Sequence, residues 1–214
     1  MIYPPLSLDF RLPSIQVETE HGEQKTLDSL LVKPGTSGVT LLIPGFTRCH
    51  GTCPLLIQTY KKLLSSTENR PISVLFFSFN PEDTAEDLQA FHAEQEAPKE
   101  WLFLRADAPN TQHLLDSLQF TTMKVGGQFD HPVQAFAFSA NGTWVGSLYG
   151  LEVTPKEVIK IYAISEREAL SPTLYLLVEQ IKNPNTMAIY GGGVCLLSLL
   201  VIFYFLIFKK NKQF

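Results

Sequence analysis

A short β-branched run, Gly38-Val39-Thr40-Leu41-Leu42-Ile43, leads through a turn into Cys49-His50-Gly51-Thr52-Cys53-Pro54, and an amphipathic stretch opens at Leu55. This pattern describes a buried strand feeding a cysteine loop that starts a helix. The free amides and positive dipole end of a helix N-terminus favour thiolate over thiol. Arg48 adds a cation beside the first sulfur, so both cysteines are expected to have depressed pKa values. If the second half of the loop is helical, the spacing puts both sulfurs on one face about one turn apart. At that separation they can form a disulfide or grip one soft metal ion.

The rest of the chain alternates around this loop. Ser14 to Glu18 reads as a leading edge strand or small hairpin, with His21 in a solvated turn. Leu55, Leu56, Ile57, Tyr60, Leu63 and Leu64 recur at helical spacing. Ile72 to Phe79 is a second buried strand, and a helix through Leu88 and Phe91 follows it. The acidic cluster Glu82, Asp83, Glu86 and Asp87 reads as carboxylates at that helix's N-terminus. His92 and His113 read as packed or surface residues on helices. Trp101 to Arg105 is a third strand, and a helix runs from about Pro109 to Leu118. Gly126 to Pro132 reads as a loop broken by its glycines and proline. Val133 to Ser139 and Trp144 to Leu148 flank Asn141-Gly142, a hairpin signal. Thr154-Pro155-Lys156-Glu157 supplies the N-cap, first-turn proline and third-position glutamate of a last helix. Alternating βα units joined to a hairpin and a closing helix give an α/β class with a mixed sheet flanked by helices.

Met187 to Phe208 is 22 residues without a charge, long enough to cross a bilayer as one transmembrane helix. The expected organisation is a folded domain over 1–165, a juxtamembrane connector over 166–186, the membrane helix over 187–208 and a basic cytoplasmic tail over 209–214. Lys209, Lys210 and Lys212 place the tail in the cytoplasm and the large domain on the extracytoplasmic, periplasmic side. Met1-Ile-Tyr-Pro-Pro-Leu-Ser has neither a basic n-region nor an apolar h-region, so an export segment is expected upstream. The alternative is a tail-anchored protein whose domain faces the cytoplasm. A net charge of -4 argues against nucleic acid as a partner, because phosphate binding needs a basic face. Cys195 lies in the anchor, so the soluble domain holds a single cysteine pair and no spare.

A strand, a cysteine pair opening a helix, and a later hairpin and helix resemble the ground plan of thioredoxin-like domains. Those domains place two residues between the cysteines, and this chain has three. At residue level it resembles the Sco/SenC family of copper metallochaperones, which carry Phe-x-x-Cys-x-x-x-Cys-Pro after the first core strand, as Phe46 to Pro54 do here. The family's Ser-x-Asp-Pro-x-x-Asp-Thr is resembled by Ser78-Phe79-Asn80-Pro81-Glu82-Asp83-Thr84, with Asn80 replacing an aspartate and Asp83 one position early. Its histidine in a loop before a hairpin is matched by Asp130-His131-Pro132. The likeness spans about residues 8 to 165, and some bacterial members resemble this chain in having a C-terminal anchor.

The resemblance implies a thioredoxin-like fold in which Cys49, Cys53 and His131 bind copper. Two thiolates and an imidazole form a soft set suited to Cu(I), able to hold Cu(II) with an added ligand. Structural zinc would usually want a fourth protein ligand. His50 is a competing donor whose side chain should point away, and Asp130 is either an acceptor orienting His131 or a solvated carboxylate. Two functions follow. In one, the protein delivers copper to the copper-site subunit of a respiratory oxidase during cytochrome c oxidase biogenesis. In the other, it is a thiol-disulfide oxidoreductase in which Cys49 attacks and Cys53 resolves. A thiol reductant protein is expected as a partner, since only the reduced pair takes up Cu(I).

Overall fold

The computed structural model describes residues 6–7, 9–32, 38–67 and 70–169. The chain divides into two units, Met1–Ala169 and Leu170–Phe214, and the described elements belong to the first. β1 (Gln16–Thr19) and β2 (Gln24–Thr26) form the leading hairpin. β3 (Val39–Gly45), α1 (Thr52–Ser65), β4 (Ile72–Ser78), α2 (Ala85–Glu94), β5 (Leu102–Arg105) and α3 (Ala108–Ser117) then alternate as the sequence predicts. A further hairpin, β6 (Met123–Val125) with β7 (Gln128–Asp130), precedes β8 (Gln134–Ser139), β9 (Trp144–Tyr149) and α4 (Pro155–Ala169).

Seven strands make one mixed sheet in the order β2-β1-β5-β4-β3-β8-β9. β3, β4 and β5 are parallel, with Ile43 opposite Phe76 and Phe76 opposite Phe103. β1 and β8 flank them antiparallel, and β9 completes the edge. Parallel strands are covered on both faces, so they read as continuous apolar runs rather than as alternation. All seven residues of β3 are buried, as are Val74 to Ser78 of β4. Phe76, Phe91 and Phe103 pack ring against ring at 4.9 to 6.2 Å, which ties α2 to the sheet. Burying each such side chain contributes about 1.5–3 kcal/mol.

The parallel register decides where chemistry can gather. Gly45 stands opposite Ser78, so the segments after β3 and β4 emerge side by side, and the Phe79 amide donates to the Gly45 carbonyl at 2.9 Å. Helix starts follow local capping. Thr84 and Asp87 form a capping box at α2, and Asp107 accepts from the Asn110 amide at α3. At α4, Glu157 accepts from both the amide and the hydroxyl of Thr154 at 2.8 Å, as the Thr-Pro-Lys-Glu signal implies.

Two sequence expectations change here. Helix α1 begins at Thr52 rather than Leu55, which brings Cys53 into its first turn. The Gly126 to Pro132 segment is not an irregular loop. It carries β7, and Gly126 and Gly127 make the turn from β6 at φ +56° and +82°. Two consecutive residues with positive φ are what a tight two-residue hairpin requires, and Gly-Gly supplies them without strain. Among the described residues no helix is long and apolar enough to cross a membrane. The anchor expected over 187–208 and the tail over 209–214 lie outside the described residues, as does the connector beyond Ala169.

Candidate metal centre

Cys49 sits in the loop that leaves β3, and Cys53 sits in the first turn of α1. Both are buried and both are free thiols. The Cys53 amide donates to the Cys49 sulfur at 3.3 Å, so that sulfur caps the helix and receives its positive end. The Cys49 thiol is pushed down to about 3, chiefly by a hydrogen bond from the Cys53 thiol. Burial opposes the shift, while His131 and the Cys53 and Gly51 amides reinforce it. The Cys53 thiol is pushed up, because it donates to Cys49, is buried, and faces the negative charge of Cys49 and Asp83. The expectation of two depressed thiols is therefore corrected. Sulfurs this close share one proton, and the more deeply buried sulfur keeps it. Arg48 does not serve the sulfur either. Its guanidinium lies 3.6 Å from Glu82 and 3.7 Å from Asp87, and the leading causes of the Cys49 shift are its neighbours Cys53, His131 and the loop amides, opposed by burial.

His131 follows β7 and reaches this loop from the other side. Its Nδ1 lies 2.9 Å from the Pro132 carbonyl, which can only accept, so Nδ1 carries the proton. The ring also interacts with Cys49. The orienting acceptor is thus a backbone carbonyl, and Asp130 is exposed, in line with the solvated reading of its carboxylate. The imidazole is walled by Phe46 at 6.0 Å, Phe79 at 5.1 Å and Phe120 at 5.8 Å between ring centroids. Phe129 meets Phe46 and Phe79 edge-on. The sequence reading missed this wall, although Phe46 lies in the motif and Phe79 and Phe129 lie within two residues of other motif positions. His131 approaches Cys49 without closing around both sulfurs. Among the described residues no three His, Cys, Asp or Glu side chains are gathered at metal-binding spacing.

Asp83 departs from the reading of the acidic cluster. Asp87 caps α2 as expected, and Glu82 is an exposed bridge to Lys124 and Arg48. Asp83 is fully buried and accepts from the Thr47 amide at 2.8 Å, the Ser78 hydroxyl at 2.6 Å and the Asn80 amide group at 2.7 Å. This carboxylate ties the cysteine loop to the end of β4. Gly45 sets the floor of the site. A Cβ there would stand 2.6 Å from the Phe76 ring and 3.2 Å from the Cys53 sulfur.

The remaining histidines stay out of the centre. His50, His21 and His113 are exposed. His92 is a packing residue. Its Nδ1 pairs with buried Glu20 at 2.7 Å, its Nε2 faces the Ala97 and Pro98 carbonyls, and its ring stacks on Phe103 at 4.4 Å. Two sulfurs lie side by side, and one imidazole approaches the first of them in an apolar surround. Such a set fits a soft, low-coordinate ion such as Cu(I) better than it fits Mg2+ or Ca2+.

The SCO1/SenC family matches residues 34–164. No curated protein sequence matches the chain. Among solved structures, a protein of Aquifex aeolicus VF5 with a candidate electron-transfer role is 25% identical, with a TM-score of 0.69 over 75% of this chain and 95% of its own. ScoI of Bradyrhizobium japonicum, solved with copper bound, is 20% identical, with a TM-score of 0.60 over 74% of this chain and 98% of its own. BsSco, a member of the Sco family of cytochrome c oxidase assembly proteins in which a disulfide switch was identified, is 22% identical. Its TM-score is 0.60 over 74% of this chain and 94% of its own. These likenesses share the thioredoxin-like mixed sheet with flanking helices.

Proposed function

This chain belongs to the SCO1/SenC family, and from that premise we propose that it is a copper metallochaperone. It takes up one copper ion through Cys49, Cys53 and His131 and passes it to the copper-site subunit of a respiratory oxidase during cytochrome c oxidase assembly. The observation that carries this reading is a pair of buried free cysteines joined through the Cys53 amide, with a histidine beside Cys49 whose Nδ1 is held by a carbonyl. A reductase has no use for that imidazole, whereas a copper site does. Copper is the cargo, and a three-donor set leaves room for an entering ligand. Cu(I) suits the two thiolates, and Cu(II) needs an added ligand. The sequence-based anchor over 187–208 would tether the domain on the extracytoplasmic face, where a short tether raises its effective concentration at the oxidase.

One observation favours a second activity at the same atoms. A thiol held low beside one held high is a nucleophile with a resolving partner. Cys49 thiolate would attack a partner disulfide to give a mixed disulfide. Cys53 would then displace the partner as a dithiol, leaving a Cys49–Cys53 disulfide. A thiol reductant protein returns the pair to its copper-binding state, so redox state would gate loading.

The deciding experiment measures copper stoichiometry and affinity of the reduced full-length chain in mild detergent, with Cys49→Ser, Cys53→Ser and His131→Ala. One copper per chain is expected, each change weakening it tenfold or more, about 1.4 kcal/mol. If His131→Ala binds like wild type while the chain reduces disulfides, the oxidoreductase reading replaces this one.

A further inference from the structure

The hairpin that delivers His131 is attached to the protein by very little. Among the described residues β6 and β7 pair only with each other and share no ladder with the seven-stranded sheet. An isolated two-stranded hairpin is marginal by itself, so its position depends on what it docks against. Of its six strand residues, five are exposed and only Phe129 is partly withdrawn from water. The Phe129 ring meets Phe46 edge-on at 5.1 Å and Phe79 at 5.4 Å, and both of those rings also pack against His131. Lys124 lies over the Phe129 ring at 5.6 Å.

Two further attachments are polar and lie at the surface. Gln128 Nε2 donates to the Arg48 carbonyl at 3.1 Å, and Lys124 pairs with Glu82 at 3.0 Å. Exposed pairs of this kind hold a geometry weakly. Phe46 and Phe79 are fixed, buried residues beside the cysteine loop and at the end of β4. Beside the His131 ring itself, which packs on Phe46, Phe79 and Phe120, Phe129 is the strand residue that joins the light ribbon to the rigid frame bearing both sulfurs.

We propose that Phe129 is a positioning residue for His131. Seated against Phe46 and Phe79, its ring sets where the ribbon ends, and so where the third donor stands relative to Cys49. This rests on the copper reading above and adds to it which residue controls retention of the ion. With Phe129 seated, His131 holds the copper as a third donor. With Phe129 unseated, the Cu–N bond breaks and an entering thiol forms a Cu–S bond in its place. The proton of that thiol goes to the imidazole, and the copper stays Cu(I) throughout.

The test loads the reduced full-length chain with Cu(I) in mild detergent and follows release to a chromogenic Cu(I) chelator. Wild type is compared with His131→Ala, Phe129→Ala, Phe129→Leu and the double variant Phe129→Ala/His131→Ala. His131→Ala and Phe129→Ala should each speed release by about tenfold or more, and Phe129→Leu, which keeps an apolar plug, should recover most of the difference. The double variant should release no faster than His131→Ala, because Phe129 acts through the imidazole. On Cu(II)-loaded protein, Phe129→Ala should lose the nitrogen coupling in the electron paramagnetic resonance spectrum as His131→Ala does. Release at the wild-type rate from Phe129→Ala overturns the proposal, and so does a double variant markedly faster than His131→Ala. Should Phe129→Ala fail to fold, Phe129→Leu with and without His131→Ala makes the same comparison. If His131→Ala itself releases like wild type, the three-donor reading falls and this inference falls with it.

Discussion

The backbone amide of Cys53 donates to the sulfur of Cys49 across 3.3 Å, so one cysteine of the pair is the hydrogen-bonded cap of the helix that carries the other. The two sulfurs therefore differ in reactivity. Reduced chain treated with iodoacetamide should be modified at Cys49 and not at Cys53, because the first thiol sits at about 3 and the second is pushed up. The rate should stay nearly flat between about pH 5 and 8, where an ordinary thiol loses roughly tenfold per pH unit. Peptide mapping that finds Cys53 alkylated, or a rate that falls like an ordinary thiol's, would count against this asymmetry.

The same shifts set a pH dependence of stability. Unfolded, both thiols keep their protons up to about pH 8.5. Folded, Cys49 has given up its proton above about 3 while Cys53 retains its own. Over that interval the unfolded chain binds more protons, so the contribution of Cys49 grows as pH rises and is lost as pH falls toward about 3. The gap in melting temperature between reduced wild type and Cys49→Ser should widen from about pH 5 to 8. A gap that is constant with pH would contradict it.

Asp83 is the internal tie of the cysteine loop. Asp83→Ala would leave the Thr47 amide, the Ser78 hydroxyl and the Asn80 amide group buried without their acceptor. Denaturant titration should show a loss of about 3–5 kcal/mol. Asp83→Asn should cost less in packing, and removal of its negative charge should bring the Cys53 thiol down from its raised value. An unchanged midpoint for the alanine variant would show that the loop is held by other means.

The elements of this fold were legible because their signals are local. Leu56, Ile57, Tyr60 and Leu63 mark the buried face of α1 by spacing alone, and Thr154 with Glu157 states its own cap. Phe46 to Pro54 and Asp130 to Pro132 were readable as a motif, and the fold brings them together. What spacing could not convey is which of several like residues turns inward. Asp83 and Glu82 are neighbours of one chemical type, yet one is fully buried and the other exposed. The β6–β7 hairpin escaped notice because alternation needs a buried face, and only Phe129 supplies one. Arg48 adjoins Cys49 in the chain, but the carboxylates of Glu82 and Asp87 compete for it.

Gly45 offers a further check on how tightly the sulfur is seated. Gly45→Ala puts a methyl group 2.6 Å from the Phe76 ring and 3.2 Å from the Cys53 sulfur. Phe76 is in the core and has nowhere to retreat, so a loss of about 1–3 kcal/mol is expected, with slower closure of the Cys49–Cys53 disulfide. Wild-type stability and wild-type oxidation kinetics together would show that the strand relaxes around the methyl group.

Cys49 and Cys53 stand beside the sheet, and His131 follows a hairpin that, among the described residues, lies outside its ladders. Residues 121–132 can therefore be exchanged as a cassette without disturbing a core strand. A grafted ribbon that keeps the Phe129 plug but ends in a carboxylate or a thioether in place of His131 would retune metal preference on an unaltered scaffold, toward harder or softer ions. On the proposed three-donor reading, the identity of the cargo would be an evolvable property of one short hairpin.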